Sequence, residues 1–248
     1  MHQLIEKFKL YGPKRFFSYA FAEISHKIVN ERFRKSFSQC GEDLIIDELL
    51  GHKPDGFYLD VGANDPNRYS NTKRFYLKGW RGINLEPDHD NFQKFVRQRP
   101  RDINLNMGAA ESSSELEFYK FMPDGLSTFC KEEVNRYLSQ GYKIQQTFQI
   151  HVKTLAEILA EHLPNTQIDF MSVDTEGFDM QVLKGNDWSR FSPTLICIES
   201  VIHTIDGKNN QKNDQHDEYL RSLGYKKVAD TSLNSIYKLQ KNGTSNLN

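Results

Sequence analysis

Five short apolar runs are spaced through this chain of 248 residues, and each closes on a residue that carries charge or can hydrogen-bond. They read GFYLD, GINLE, DINLN, IDFMSVD and PTLICIE, and they close on Asp60, Glu86, Asn106, Asp174 and Glu199. Runs this short and this apolar suit strands covered on both faces of a parallel sheet. Between them lie segments with helical apolar spacing: SNTKRFYLKGW, DHDNFQKFVRQRP, TLAEILAEHLP (expected to stop at Pro164) and GFDMQVLKGNDWSRF. Strand–helix alternation predicts an α/β fold of Rossmann-like type, a mostly parallel sheet with helices on both faces. The last two runs, KKVAD and NSIYKL, follow the helical HDEYLRSLGY and predict an antiparallel edge hairpin. Ligands bind such sheets in the crevice at the carboxyl ends of the strands.

The alternation breaks at 111–153. ELEFYKF and FQIHVKT read as strands around a loop and helix, which predicts an insertion over one end of the sheet. The chain therefore divides into an N-terminal helical extension (1–35), one domain (36–240) with its insertion, and a polar tail (241–248). A net charge of −1 gives no basis for general nucleic-acid binding. Three scattered cysteines show neither disulfide nor zinc spacing, which points to a reducing, cytoplasmic setting. No apolar run approaches the length that spans a bilayer. Residues 1–35 carry eight Lys/Arg against three Glu, with Phe8, Phe16, Phe17, Tyr19 and Phe21 interleaved. That segment reads either as a capping helix packed on the domain or as a peripheral membrane or partner-docking element.

The loop after the first run, DVGANDPNRYSNT, begins as a nucleotide loop and then departs from one. Gly62 allows a sharp turn, but Asp65-Pro66 stands where a dinucleotide loop places further glycines. Those glycines let a pyrophosphate approach a helix N-terminus. A nucleoside without phosphate does not need them, and S-adenosylmethionine is such a ligand. Asp60 suits its ammonium, and Glu86 suits the two ribose hydroxyls through charge-assisted hydrogen bonds. Asn64, in the same loop, is a further cofactor-binding candidate. Ser70, Asn71 and Thr72 are placed to meet its carboxylate, and Asn106 to meet the adenine edge. SQCGEDLIIDELL predicts an amphipathic helix with Ser38 as N-cap, and Gln39, Glu42 and Asp43 are candidates to reach the cofactor's amino-acid end or to close the pocket, Gln39 as a cofactor-binding residue.

Asp174 and Glu199 end neighbouring strands and could share a hard divalent cation, Mg²⁺ or Mn²⁺, through oxygen ligands. Such an ion would lower the pKa of an acceptor hydroxyl. Asp174, as ligand or base near the reacting oxygen, is the leading catalytic candidate, Glu199 is a second, and His203 is a candidate general base or further ligand. Glu176 is placed to favour the start of a helix near Gly177. Residues 123–149, with Ser127, Thr128, Tyr137 and Tyr142, are the expected acceptor lid.

SQCGEDLII (38–46), GFYLDVGANDPNRYSNT (56–72), GWRGINLEPD (79–88) and IDFMSVDTEGFDMQVLKG (168–185) together resemble the FkbM family of S-adenosylmethionine-dependent methyltransferases. The resemblance implies a class I methyltransferase fold, a cofactor site containing Asp60, Gly62 and Glu86, and O-methylation of a sugar, glycan or related natural product. Many members carry D-V-G-A-N-x-G where this chain has Asp65-Pro66. Two other readings share parts of the pattern: a nicotinamide-dependent oxidoreductase, and a non-catalytic binding module with a methyltransferase-like fold.

Overall fold

A computed structural model describes residues 35–163, 167–202, 211–212 and 214–240, with isolated positions 17, 21, 24, 25 and 29 before them. Pro164, His203 and the tail 241–248 lie outside the described residues.

The first half of the domain alternates α1 (Glu42–Leu49), β1 (Phe57–Val61), α2 (Lys73–Leu77), β2 (Arg81–Leu85), α3 (His89–Gln98) and β3 (Ile103–Leu105). The insertion comprises β4 (Gly108–Ala109), β5 (Ser114–Phe121), α4 (Lys131–Ser139) and β6 (Ile144–Lys153). The chain then returns through α5 (Leu155–His162), β7 (Phe170–Val173), α6 (Asp179–Lys184) and β8 (Leu195–Glu199). A two-stranded ribbon, β9 (Val201–Ile202) with β10 (Gln211–Lys212), precedes α7 (Asp214–Ser222), β11 (Tyr225–Asp230) and β12 (Asn234–Leu239).

The main sheet has the order β11-β12-β8-β7-β1-β2-β3. The β1, β2, β3, β7 and β8 strands pair in parallel, and β12 runs antiparallel to both β8 and β11. The terminal hairpin thus forms as the sequence predicts, but β12 is an internal strand and, of the hairpin, only β11 lies at a sheet edge. Strand order reverses between β1 and β7, so a crevice opens where their ends part.

Period-two alternation assigns the faces. Leu59, Val61, Ile83, Leu85, Met171, Val173, Ile196 and Ile198 pack with α5 and α6 on one side. Tyr58, Phe170, Leu195, Cys197 and Ile236 pack with Ile46, Phe75 and Trp80 on the other. There the Phe75 ring lies 4.6 Å from Phe170 and 4.9 Å from Trp80. Asp60 shares this second face with Tyr58, being two residues further along the strand.

Capping follows local chemistry at two helices. The Asp88 side chain accepts from the N–H groups of Asp90 and Asn91 at the head of α3, and Thr154 with Glu157 forms a reciprocal capping box at α5. At α1 the sequence expectation fails. Gly41, with φ of +92°, is the residue that starts the helix, and Ser38 acts from further upstream. The Ser38 hydroxyl accepts from the N–H groups of Gly41 and Asp43 and donates to the Asp43 carboxylate.

The insertion has its own small core of Phe121, Val134 and Tyr137. Its strands form a separate three-stranded sheet ordered β4-β6-β5.

Candidate active site

The crevice at the β1/β7 parting leads into a cavity lined by strand-end residues on one side and by the insertion on the other. Register sets its floor. Val61 pairs with Val173, which brings Gly62 beside Asp174, and Val173 pairs with Ile198, which brings Asp174 beside Glu199. Gly62 has φ of +77°, and a Cβ there would sit 1.9 Å from the Asp174 carbonyl oxygen. Both facts exclude a side chain, so the glycine permits the turn and the close approach of two strand ends.

Asp60, Gly62, Asn64, Ser70, Glu86 and Gln39 all line the cavity. Asp60 is buried, and its Oδ2 accepts from the Thr72 hydroxyl at 2.6 Å. Burial pushes its carboxyl upward, while the nearby Arg99 charge and the Thr72 bond pull it back. Glu86 is also buried; one oxygen accepts from Asn64 N–H at 2.6 Å and the other from Asp88 N–H at 2.7 Å. Burial drives its pKa well up, and the Asp88 N–H bond opposes that drive. A carboxylate oxygen offers more than one acceptor position, so Glu86 is held in place while both oxygens keep capacity for ligand hydroxyls.

Three cavity residues other than glycine adopt left-handed backbone conformations: Asn64 (φ 52°), Tyr69 (55°) and Glu176 (51°). This conformation costs a non-glycine residue about 1–2 kcal/mol. Asn64 is among the residue types that tolerate it, and its side chain is held by Asn91. Tyr69 and Glu176 have no such ease. No pattern in the sequence announces them.

The second acidic group lies across the floor. Asp174, Glu176 and Glu199 each offer a carboxylate oxygen, and these oxygens all lie within 4.8 Å of one another. Glu176 does not simply serve a helix start, as the sequence suggests. Its Oε2 accepts from the Tyr137 hydroxyl at 2.5 Å, and its carbonyl accepts from the Thr128 hydroxyl at 2.8 Å. Both partners come from the insertion. Burial raises the Glu176 pKa well above the usual carboxylate range, and the charges of Glu199 and Asp174 raise it further. Glu199 is raised by burial and then by Asp174.

Some sequence expectations are corrected by geometry. Asn106 does not line the cavity. Its amide donates to the carbonyls of Glu86 and Pro87 at 2.8 and 2.9 Å, so it holds the Glu86 turn from outside, and Met107 and Gly108 line the cavity instead. Glu42 and Asp43 are likewise absent from the lining. Glu42 takes Thr231 and Asn234, and Asp43 takes Ser36, Ser38 and the N–H of Phe37. His203 falls outside the described residues, and the histidine found against Glu199 is His216. Its Nδ1 lies 3.1 Å from the Glu199 carbonyl, and burial lowers its pKa, which favours a neutral ring donating to that oxygen.

The insertion closes the cavity from above. Phe118, Asp124, Ser127, Thr128 and Phe129 face into it. Tyr137 is buried and Tyr142 packs edge-on against it, so these two support the wall. Arg68 of the loop after β1 bonds Asp124 at 2.5 Å, and Lys120 bridges Asp88 and Asp90 at 2.7 and 2.9 Å. The Asp65-Pro66 departure also resolves. One Asp65 oxygen accepts from the N–H groups of Asn67 and Arg68, and the other pairs with Lys94 at 2.9 Å. The loop is thus folded by its own aspartate.

Comparison with known proteins adds a family to this geometry. A family model described as the methyltransferase FkbM domain matches residues 60–227. A curated relative, Methyltransferase 1 of Beauveria bassiana, is 28% identical over an alignment of 165 positions that covers 59% of this chain and 66% of that protein. The chain therefore spans about two thirds of that relative's length. Among solved structures, a methyltransferase FkbM from Methylobacillus flagellatus superposes with a TM-score of 0.44 at 14% identity, covering 75% of this chain and 44% of that one. The human methyltransferase 10 domain containing protein gives 0.44 at 12% identity, covering 90% and 96%.

Proposed function

The chain belongs to the FkbM methyltransferase family, and on that premise we propose that it transfers a methyl group from S-adenosylmethionine to a hydroxyl of a sugar or glycan. The observation that carries this reading is the pair of buried carboxylates, Asp60 and Glu86, at the ends of adjacent strands and in one cavity.

The cavity's donor set fits the cofactor. Glu86, held by two backbone N–H groups, would accept the ribose hydroxyls, and Asp60 would accept the ammonium. The Ser70 hydroxyl is already engaged by Arg99 and by Lys73 N–H, so Ser70 acts more on the loop than on the ligand. The cofactor supplies an electrophilic methyl carbon on a positively charged sulfur. The protein must align an acceptor oxygen with that carbon and take the hydroxyl proton. Asp174 reaches the cavity from the floor and is the residue for that proton. Its neighbours Glu176 and Glu199 are themselves raised by burial, and the Asp174 charge adds to the rise in both.

The same three carboxylates have the donor chemistry for Mg²⁺ or Mn²⁺. A cation among them would offset the mutual repulsion and make an acceptor hydroxyl easier to deprotonate. A sugar acceptor is supported by the aromatic Phe118 and Phe129 in the cavity wall, beside Ser127 and Thr128, whose hydroxyls are partly engaged by Phe121 N–H, Cys130 N–H and the Glu176 carbonyl. The test is incubation with labelled S-adenosylmethionine and a panel of glycans, then location of the label. Transfer to a sugar hydroxyl supports the reading; transfer to nitrogen, or none to any glycan, removes the acceptor class.

No helix among the described residues is long and apolar enough to cross a membrane. Phe17, Phe21 and Ile24, spaced by four and three residues, are 64%, 75% and 60% exposed. With the surplus of basic residues in 1–35, this favours docking of a cytoplasmic enzyme on an anionic membrane surface. Co-sedimentation with anionic but not neutral vesicles, lost in Phe17→Ser/Phe21→Ser, checks it; equal pelleting with both vesicle types contradicts it.

A further inference from the structure

Arg99 is the one fully buried arginine among the described residues, and nothing in the sequence marks it out. It follows α3, and its side chain runs between the rings of Phe95 and Tyr76, 5.1 and 5.5 Å from its guanidinium carbon. Its donors converge on the loop that begins with Asp65-Pro66. One Nη donates to the Thr72 hydroxyl at 2.6 Å and, at 3.4 Å, to the Tyr58 hydroxyl. The other donates to the Pro66 carbonyl at 2.7 Å and to the Ser70 hydroxyl at 2.8 Å. Thr72 in turn donates to Asp60. Arg68, Tyr69, Ser70 and Asn71, which line the cavity, all lie between the anchored residues.

A buried guanidinium is costly unless its donors are satisfied and a negative charge is near. Here its bonds are to neutral groups, and two of these pass on to carboxylates: the Thr72 hydroxyl to Asp60, and the Tyr58 hydroxyl, a longer contact at 3.4 Å, to Asp102. We propose that Arg99 is a positioning residue for the methyl donor: its guanidinium fixes the 66–72 loop and, through Thr72, sets the Asp60 carboxylate at the donor end of the cavity. This rests on the reading that the cavity binds S-adenosylmethionine. Electrostatics agrees with the geometry. Burial favours a protonated Asp60, and Arg99 supplies the largest opposing influence. A lysine could retain the charge but not the two-pronged geometry that holds Pro66, Ser70 and Thr72 together.

Two ligands separate a role at the ammonium from general structural support. S-adenosylmethionine has an amino-acid end; 5′-methylthioadenosine has the same nucleoside without it. Calorimetry on the full chain measures both against wild type, Arg99→Met, Arg99→Lys and Thr72→Val, with folding checked by circular dichroism. Thr72→Val breaks the relay while leaving the arginine, so it serves if the arginine variants fail to fold. The expected result is a loss of affinity for S-adenosylmethionine on the order of tenfold in Arg99→Met and Thr72→Val, with methylthioadenosine binding changed by less than about twofold. Arg99→Lys should fall between. Equal losses for both ligands, or no loss for either, overturn the proposal. A wild type that binds neither nucleoside overturns the donor-site reading itself, and the positioning role with it.

Discussion

The cavity has two acidic walls, and they are built in opposite ways. At the ends of β1 and β2, Asp60 and Glu86 are held by donors: the Thr72 hydroxyl for one, two backbone N–H groups for the other. Arg99 adds a positive charge behind Asp60. At the ends of β7 and β8, carboxylate oxygens of Asp174, Glu176 and Glu199 lie within 4.8 Å of one another; beyond burial, Glu176 is raised by the charges of Glu199 and Asp174, and Glu199 by those of Asp174 and Asp179. Burial raises carboxyl pKa values on both walls. Arg99 and the Thr72 hydrogen bond oppose the rise at Asp60, and backbone N–H groups oppose it at Glu86 although the Asp88 charge adds to it. Neighbouring carboxylates add to it at Glu176 and Glu199, with Tyr137 opposing at Glu176. A wall whose carboxylates are already held suits recognition of a fixed ligand shape. A wall of mutually repelling carboxylates suits capture of a proton or a cation.

The contrast can be broken most sharply at Asp174. Asp174→Asn should lower kcat by about 10²–10⁴, the range for loss of a general base, with donor affinity changed less than about threefold. A large loss of donor affinity would merge the two walls into one function. Chelation should have a comparable effect if a cation completes the floor: turnover lost with EDTA and restored by Mg²⁺ or Mn²⁺. Full activity after rigorous chelation removes the ion and leaves the proton role.

A smaller effect is expected in stability against pH. The folded-state pKa values of Glu176 and Glu199 lie above the ordinary carboxylate value, so the native protein binds protons that the unfolded chain has already released. Stability is therefore lost as pH rises through that window and regained as it falls. Asp60 and Glu86 act in the same direction. Without divalent cations, thermal melting should shift upward from pH 8 to pH 6. Glu176→Gln should shrink that shift and stabilise the protein by about 1 kcal/mol at pH 8. An unchanged shift would mean that Glu176 is not one of the strained groups.

The smallest effect is expected at the contact that joins the insertion to the floor. Tyr137→Phe removes one hydrogen bond to Glu176 and should cost about 1 kcal/mol of stability. A KM for the acceptor that rises while the donor KM holds would place the insertion on the acceptor side. A rise in the donor KM alone would contradict that.

The sequence made the strand ends legible because a buried strand is a short apolar run, and a polar residue that ends it must face the crevice. That argument reached Asp60, Glu86, Asp174 and Glu199. It failed at Asn106 because β3 is only three residues long and stops at Leu105, leaving Asn106 to turn outward onto the carbonyls of Glu86 and Pro87. The separate helix-based expectation for Glu42 failed because its partners, Thr231 and Asn234, lie near the other end of the chain. Arg99 was invisible for a related reason. An arginine after a helix reads as solvent-exposed, and only the folded loop shows that four of its acceptors meet there. The left-handed backbone at Tyr69 and Glu176 leaves no mark in residue type at all.

The central claim is that donor recognition belongs to the β1/β2 wall alone. Calorimetric titration of S-adenosylmethionine into wild type, Asp60→Ala, Glu86→Ala and Asp174→Ala tests it most directly. The account predicts measurable binding by wild type and by Asp174→Ala, and affinity weakened on the order of tenfold or more in Asp60→Ala and Glu86→Ala. No binding by folded wild type, or undiminished binding in both Asp60→Ala and Glu86→Ala, would contradict it.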